Sequence, residues 1–184
     1  MIGVLVSGHG TNLQALLDAT LPVCAVASNR PGVRALERAQ RAGVPAAVFE
    51  LDDYATREDR DGAMAGWLAE RGTELVVCAG YMHLLTRPFL DRFPVMNVHP
   101  SLLPAFPGTR AIEDALAAGV RETGVTVHFI DEGIDTGPVI AQERVPVRAE
   151  DTPETLRERV HEVEHRLLPK TARLFLAGAL RSPR

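Results

Sequence analysis

The residue types best suited to chemistry in this chain are an asparagine and a histidine, Asn97 and His99, at the end of an apolar run. In an extended strand, side chains two residues apart point to the same side. The Asn97 amide is a permanent hydrogen-bond donor, and the His99 imidazole can be neutral or cationic near pH 7. The pair therefore predicts a site that stabilises an oxyanion as it develops.

A second stretch, Asp131-Glu-Gly-Ile-Asp-Thr-Gly-Pro138, contains three carboxylates. Asp131 and Glu132 are expected to lie in a solvated turn. Asp135 differs because Gly137 and Pro138 constrain the chain beside it. A carboxylate directed at His99 would orient the imidazole and raise its pKa.

A third stretch, Ser7-Gly-His-Gly-Thr-Asn12, leads from a predicted strand into a predicted helix. Its glycines allow close approach of a ligand to the backbone, and a helix N-terminus attracts anions, so the stretch suits a phosphate. Leu13 stands where a dinucleotide fingerprint requires its third glycine, and the Gly-Lys-Ser/Thr of a Walker A loop is absent. The alternative is a tight turn in which Asn12 caps the helix.

The elements that position these residues follow from hydrophobic periodicity. Short apolar runs alternate with helical patterns and predict buried parallel strands, followed by an antiparallel pair. The predicted strands cover residues 2–6, 23–27, 46–49, 75–79, 94–98, 125–130 and 139–147. We expect an α/β protein with an open, mostly parallel, Rossmann-like sheet, helices on both faces and an antiparallel strand pair in the C-terminal half.

The helices between the strands have apolar residues at i, i+3 and i+4 spacing. Val33 and Leu36 mark the second helix, and Thr56 is the predicted N-cap of the third. The last helix is expected to begin at Thr152-Pro153. Its predicted apolar stripe consists of Leu156, Val160, Val163, Leu167 and Leu174. We expect one domain over residues 1–184, with a phosphate-binding half (1–93) and a catalytic half (94–184).

Composition narrows the class of protein. The formal net charge of −4 argues against a general nucleic-acid binder. Cys24 and Cys78 lie in apolar stretches and are expected to be buried thiols. The N-terminal residues predict a strand rather than a signal peptide, and no apolar run reaches the roughly 20 residues of a membrane span. We expect a cytoplasmic protein without membrane or metal partners.

Other arrangements of the same residues are weaker. Ser101, His99 and Asp135 could form a hydrolase triad, but Ser101 lies between prolines and not in a G-x-S-x-G elbow. A metal site at His99, His128 and Asp135 lacks a recognised ligand spacing. His161 and His165 are expected to form a surface pair.

Taken together, the motifs resemble the phosphoribosylglycinamide formyltransferase family, the folate-dependent transformylases of purine biosynthesis. The similarity extends from Ser7 to His165. It rests on the Ser7–Ala15 turn and on Cys78-Ala-Gly-Tyr-Met82, Asn97-Val-His-Pro-Ser-Leu-Leu-Pro104 and Asp135-Thr-Gly-Pro138. The resemblance implies the formyltransferase fold and two small-molecule substrates, glycinamide ribonucleotide and the co-substrate 10-formyltetrahydrofolate.

The resemblance also implies roles for individual residues. Asn97, His99 and Asp135 match the catalytic trio of the family. The ribonucleotide is expected to bind at Gly10, Thr11, Asn12 and Glu164. The reduced folate is expected at Arg57, Met82, His83, Leu84, Leu85, Asn97, Asp131, Glu132, Gly133, Ile134 and Asp135. His83 is a departure, because many relatives have arginine at this position and a histidine charge would depend on pH.

Three other functions compete with this interpretation. Formylation of an aminoacyl-tRNA is expected to need an additional RNA-binding domain. A formyltetrahydrofolate hydrolase usually has a regulatory domain and a second histidine where this chain has Pro100. A non-catalytic phosphometabolite-binding module would have no need of the trio. The sequence leaves open whether the protein is a monomer or a homodimer.

Overall fold

Parallel strands form the centre of the sheet, as the apolar runs predict. The computed structural model describes residues 1–182. Its strands are β1 (Ile2–Val6), β2 (Val23–Ser28), β3 (Ala46–Val48), β4 (Leu75–Cys78), β5 (Val95–His99), β6 (Glu122–Phe129) and β7 (Val139–Pro146). Its helices are α1 (Thr11–Asp18), α2 (Arg34–Arg41), α3 (Arg57–Ala69), α4 (Arg87–Leu90), α5 (Ala111–Ala117) and α6 (Pro153–Leu176), with a 3-10 turn at Leu51–Asp53.

The order of the strands across the described sheet is β3-β2-β1-β4-β5-β6-β7. Strands β1 to β5 are parallel, whereas β6 runs antiparallel to β5 and β7 antiparallel to β6. The fold class predicted from the sequence is therefore confirmed. Because the chain moves outward from β1 to β3 and then returns to β4, the order reverses between β1 and β4. A ligand crevice is expected at the carboxyl ends of these two strands.

Two apolar cores cover the two faces of the sheet. The first packs α1, α2, α5 and α6 against one face, and the second packs α3 and α4 against the other. Side chains of β1 alternate between them, since Val4 belongs to the first core and Leu5 to the second. Both faces of the central strands are thus buried, which explains why these strands are continuously apolar.

Helix α6 begins as predicted, with Thr152 as its N-cap. Thr152 and Thr155 form a capping box, in which each hydroxyl accepts from the backbone N–H of the other residue. The predicted apolar stripe is buried as far as Leu167, but Leu174 is 41% exposed and Phe175 packs on the core instead. Within residues 1–182, none of the helices has the length and apolar character to cross a membrane.

Two further sequence predictions need correction. Strand β3 was expected to be buried, but Ala46 and Val48 are exposed because β3 is an edge strand of the sheet. Helix α2 begins one residue after Val33, and its buried positions are Ala35 and Ala39 rather than Leu36. Small side chains face the sheet here because α2 packs closely against the turn that leads into α1: the Cα of Ala35 is 2.8 Å from where a Cβ on Gly10 would lie.

Candidate active site

Asn97, His99 and Asp135 come together at the carboxyl end of β5. Nδ1 of His99 lies 3.4 Å from Oδ2 of Asp135, and both side chains are largely buried. Asn97 is in the same strand, two residues before His99. The structure thus brings together the three residues that the sequence singled out.

Backbone groups of the loop between β5 and α5 hold this cluster. Nε2 of His99 lies 2.8 Å from the carbonyl oxygen of Phe106, and the N–H of Gly108 donates to Oδ2 of Asp135 at 2.8 Å. Phe106 and Asp135 have φ angles of 52° and 53°. This left-handed conformation is unfavourable for residues with a Cβ, and such strain is concentrated at functional sites.

The structure adds a fourth member to the cluster, His128, which the sequence suggested only as a weak metal ligand. Its Nδ1 is 2.9 Å from the carbonyl oxygen of Phe129, so Nδ1 carries the hydrogen and donates it. Nε2 then accepts from the Asn97 amide at 3.1 Å and fixes its orientation. Burial lowers the pKa of His128 and favours this neutral form. The strict alternation of β6 was the available signal, because its antiparallel register places His128 opposite Asn97.

The weaker arrangements gain little from the structure. The Ser101 hydroxyl donates to the carbonyl oxygen of Ala105 and so supports its own loop. His128 and His99 both lie near Asp135, at 3.7 Å and 3.4 Å. Even so, the described residues contain no group of three or more histidine, cysteine or acidic side chains arranged to hold a metal ion.

Two clefts flank the cluster. The first, which we call the helix-end cleft, encloses about 1150 Å³ and is lined by Ser7, Gly8, His9, Gly10, Thr11, Asn12, Arg34, Arg38, Ala79, Gly80, Met82, Val98, Pro100, His161 and Glu164. The second, which we call the loop cleft, encloses about 510 Å³ and is lined by Cys78, Tyr81, His83, Leu84, Leu85, Asn97, His128, Ile130, Asp131, Gly133, Ile134 and Asp135. The helix-end cleft lies at the carboxyl ends of β1 and β4, where the strand order predicts a ligand crevice.

The N-terminus of α1 opens onto the helix-end cleft. Gly10 precedes the helix with a φ of 71°, and a Cβ on it would lie 2.6 Å from the Cβ of Ala35. Glycine is therefore required at this position. The backbone N–H groups at the start of α1 and the side chains of Arg34 and Arg38 favour an anion here. Asn12 does not cap the helix.

Asn12 instead reaches across to α6. Its Nδ2 donates to Oε2 of Glu164 at 2.9 Å, while its buried Oδ1 has no hydrogen-bond partner within residues 1–182. Burial raises the pKa of Glu164 to about 7, against the smaller opposing effect of this hydrogen bond. His161 lies 4.0 Å from Glu164 and stacks on His165. Of the two histidines expected at the surface, His161 therefore lies in the wall of the helix-end cleft.

The residues expected to bind folate lie at different places around the loop cleft. His83, Leu84, Leu85, Asn97, Asp131, Gly133, Ile134 and Asp135 line it. Met82 faces the helix-end cleft, and its N–H donates to the Ser7 hydroxyl at 2.9 Å. Glu132 is exposed, 3.8 Å from Arg87. Arg57 is the first residue of α3, and its charge contributes to lowering the pKa of His83 at the edge of the loop cleft.

A buried ion pair that the sequence did not reveal supports the loop cleft from α3. Arg60 is fully buried, and its Nε donates to Oδ1 of Asp61 at 2.9 Å. The other carboxylate oxygen, Oδ2, accepts from the N–H and hydroxyl of Thr86 at 2.7 and 2.8 Å. Adjacent charged residues on a helix usually indicate a solvated face. In this chain they fasten α3 to the segment that forms the wall of the loop cleft.

His83 lies beside a buried guanidinium that disfavours a positive charge on its ring. Its Nδ1 lies 2.6 Å from Nη1 of Arg60, and its ring is tilted toward Tyr81. Burial lowers the pKa of His83, and the charges of Arg60 and Arg57 lower it further. The guanidinium beside it belongs to Arg60, which is turned away from solvent.

Comparison with known proteins places this site in a family. Residues 1–172 match the formyl transferase family. The chain is 47% identical to a phosphoribosylglycinamide formyltransferase of Mycobacterium tuberculosis over 90% of this chain and 80% of the relative. A glycinamide ribonucleotide transformylase 1 from Symbiobacterium toebii superposes with a TM-score of 0.96 at 47% identity, covering 99% of this chain and 90% of the other.

Much longer proteins also contain a similar region. The chain is 45% identical to a trifunctional purine biosynthetic protein adenosine-3 of Chironomus tentans. The match covers 98% of this chain but 14% of that relative's length. The predicted resemblance is confirmed over nearly the whole chain. The chain belongs to the formyl transferase family and, within it, to the phosphoribosylglycinamide formyltransferases.

Proposed function

We propose that the protein transfers the formyl group of 10-formyltetrahydrofolate to the primary amine of glycinamide ribonucleotide, a step of purine biosynthesis. One observation carries the proposal: Asn97, His99 and Asp135 meet between two clefts of different chemical character. Relatives that are named for this activity support it, and the match covers most of the length of each relative.

The helix-end cleft suits the ribonucleotide. Its phosphate would bind the N–H groups at the start of α1, at Gly10, Thr11 and Asn12. Glu164 would accept hydrogen bonds from the ribose hydroxyls when ionised. The net charge of −4 does not oppose this binding, because the attraction comes from the helix terminus and nearby arginines.

The loop cleft suits the reduced folate. Exposed apolar side chains at Leu84 and Ile134 form walls for a flat ring. Backbone groups of the segments that carry these two residues would hydrogen-bond to the pterin. Arg57, at the start of α3 and close enough to affect the charge of His83, would attract the acidic tail of the folate. Met82 and Glu132 would then act from positions outside the lining of the cleft.

In the proposed reaction the amine nitrogen attacks the formyl carbon, and the carbonyl oxygen becomes an oxyanion. With Nε2–H donated to the Phe106 carbonyl, protonated His99 would donate to that oxygen through Nδ1–H, together with the Asn97 amide, and the Asp135 carboxylate beside Nδ1 would stabilise the imidazolium. A water held by Asp135 would carry a proton from the amine to the leaving nitrogen of the folate. The new carbon–nitrogen bond forms together with the oxyanion, and the bond to the folate nitrogen breaks when the carbonyl re-forms.

The proposal also covers the location of the enzyme, its partners and its oligomeric state. We place the enzyme in the cytoplasm, acting on two small molecules as a monomer or homodimer, without a metal ion or nucleic acid. The buried histidines of the cluster act through hydrogen bonding in this account. The folate is a co-substrate that leaves after each turnover.

An assay with purified protein and 10-formyltetrahydrofolate tests the proposal. Consumption of the donor that depends on glycinamide ribonucleotide would support it. Loss of the formyl group at the same rate without the amine would identify a hydrolase. Binding of either compound without turnover would identify a non-catalytic module, and both of these results contradict the proposal.

A further inference from the structure

A chain of hydrogen bonds runs beneath the loop cleft, from the end of β1 to α3, and His83 is its central link. The Ser7 hydroxyl donates to Oδ1 of Asn29 at 2.6 Å, and Nδ2 of the same amide lies 3.0 Å from Nε2 of His83. On the other side, Nδ1 of His83 lies 2.6 Å from Arg60. The chain of contacts thus joins three separate elements through a half-buried imidazole ring.

The chemistry of these contacts determines the state of the ring. A guanidinium can only donate, so Nδ1 of His83 must be an unprotonated acceptor. A neutral imidazole then carries its hydrogen on Nε2, which must donate to an acceptor. A half-turn of the Asn29 amide brings its oxygen to this hydrogen and its nitrogen to the Ser7 oxygen.

Protonation of His83 would break the chain of contacts. The new N–H on Nδ1 would face the donors of Arg60, and two cations would be in contact. The charged groups around the ring are Arg57, Arg60 and Asp61, all from α3; the two arginines oppose protonation and the aspartate favours it. The other neighbours are the neutral groups of Asn29 and Tyr81.

The segment that this chain of contacts holds, residues 80–86, forms one wall of the loop cleft. Its other ties are the bond from the Met82 N–H to Ser7 and the bonds from Thr86 to Asp61. Both end on residues of the same network, Ser7 directly and Asp61 through Arg60. Loss of the central link would therefore loosen the wall between its two ends.

We propose that neutral His83, with its hydrogen on Nε2, is a positioning residue that holds segment 80–86 in the shape that binds the reduced folate, so that folate binding weakens when His83 is protonated. This inference rests on the proposed function. It gives the histidine at this position a role that depends on Arg60, and it makes the loop cleft sensitive to acid.

Nitrogen NMR of histidine-labelled wild-type protein tests the state of the ring without any ligand. We expect the Nε2–H tautomer for His83, assigned by comparison with a His83→Gln variant, and a titration midpoint below the ordinary value of about 6.5. An Nδ1–H tautomer, or a midpoint at or above the ordinary value, would overturn the inference and leave the proposed function untouched.

Tetrahydrofolate binding between pH 5 and 8 tests the consequence. Since affinity scales with the neutral fraction of His83, wild-type affinity should fall roughly tenfold per pH unit below the pKa of that residue. The glutamine of His83→Gln keeps an acceptor and a donor but does not titrate, so this variant should lose the dependence of affinity on the neutral fraction. The matched control, His165→Gln, should retain that dependence. Equal profiles for wild type and His83→Gln would overturn the inference alone. Absence of tetrahydrofolate binding by wild type at every pH would overturn the proposed function as well.

Discussion

The helix-end cleft and the loop cleft are built by different means, although residues 78–85 pass between them and contribute side chains to both. The helix-end cleft is formed by the ends of regular elements, chiefly the N-terminus of α1 and one side of α6. The loop cleft is formed by irregular segments that buried side chains hold from behind.

This difference has consequences for stability and for response to pH. The backbone groups of a helix terminus keep their positions when a neighbouring side chain is changed, whereas a loop held by buried ion pairs depends on each partner. The helix-end cleft contains a carboxyl whose pKa is raised, whereas histidines whose pKa is lowered lie in both clefts, His161 in the helix-end cleft and His83 and His128 in the loop cleft. The two clefts should therefore respond to different changes.

The largest effect is expected from Asp61→Ala, behind the loop cleft. The substitution leaves Arg60 charged, buried and unpaired, which should lower the free energy of unfolding by about 3–5 kcal/mol. Urea denaturation measures this loss. The control is Asp91→Ala, in an exposed ion pair with Arg87, which should change little. Similar losses for the two variants would show that the buried pair does not support the loop cleft.

The next effect concerns the cluster between the clefts. His99→Ala removes one donor to the proposed oxyanion and should lower kcat by about 100- to 1000-fold, with smaller changes in KM. Ser101→Ala is the matched control, because its hydroxyl only supports the loop, and it should retain most of kcat. Steady-state kinetics with both substrates compare the two. An unchanged kcat in His99→Ala would refute the assignment of this histidine.

Glu164→Gln tests the helix-end cleft. The unfolded carboxyl titrates near 4.5 and the folded one near 7, so the folded state holds the extra proton between these values. Stability should therefore fall as pH rises from 4.5 through 7, by at most about 3 kcal/mol. Because the histidines whose pKa is lowered contribute in the opposite direction, the fall should appear as a component of the stability change between pH 5 and 8 that wild type and the exposed control Glu162→Gln share and Glu164→Gln lacks, measured by urea denaturation. Its persistence in Glu164→Gln would contradict the account.

The smallest effect is expected at the far end of the helix that carries Glu164. Thr152→Ala removes the N-cap of α6 and should lower the free energy of unfolding by about 1 kcal/mol. Thr152→Ser keeps the hydroxyl and should retain most of the wild-type free energy of unfolding. Thermal unfolding distinguishes the variants, and KM for the ribonucleotide should stay at the wild-type value. A large rise in KM would show that the helix-end cleft depends on side-chain contacts at the far end of α6, contrary to this account.

The same contrast explains what could be predicted from the sequence. The turn at Gly10, the caps at Thr56 and Thr152 and the common orientation of Asn97 and His99 depend on residues near one another in the chain. They follow from local geometry alone. For this reason the turn that opens the helix-end cleft and the placement of Asn97 beside His99 could be outlined from motifs.

The remainder depends on contacts between distant segments. The role of His128 requires the register between β5 and β6, and burial of Arg60 and Asp61 requires the packing of α3 against segment 80–86. The exposure of β3 follows from its position at the edge of the sheet. The encounter of His99 with Asp135 was expected, but its geometry depends on two strained loop residues that no local pattern reveals.

The most direct test of the central claim, that the two clefts hold the two substrates of one reaction, is a crystal structure of His99→Ala with both compounds bound. The account predicts the ribonucleotide amine in the helix-end cleft, about 3–3.5 Å from the formyl carbon of a donor in the loop cleft. The formyl oxygen should face the Asn97 amide. Substrates bound with their reacting atoms apart, or with the Asn97–His99–Asp135 cluster beside neither, would contradict it.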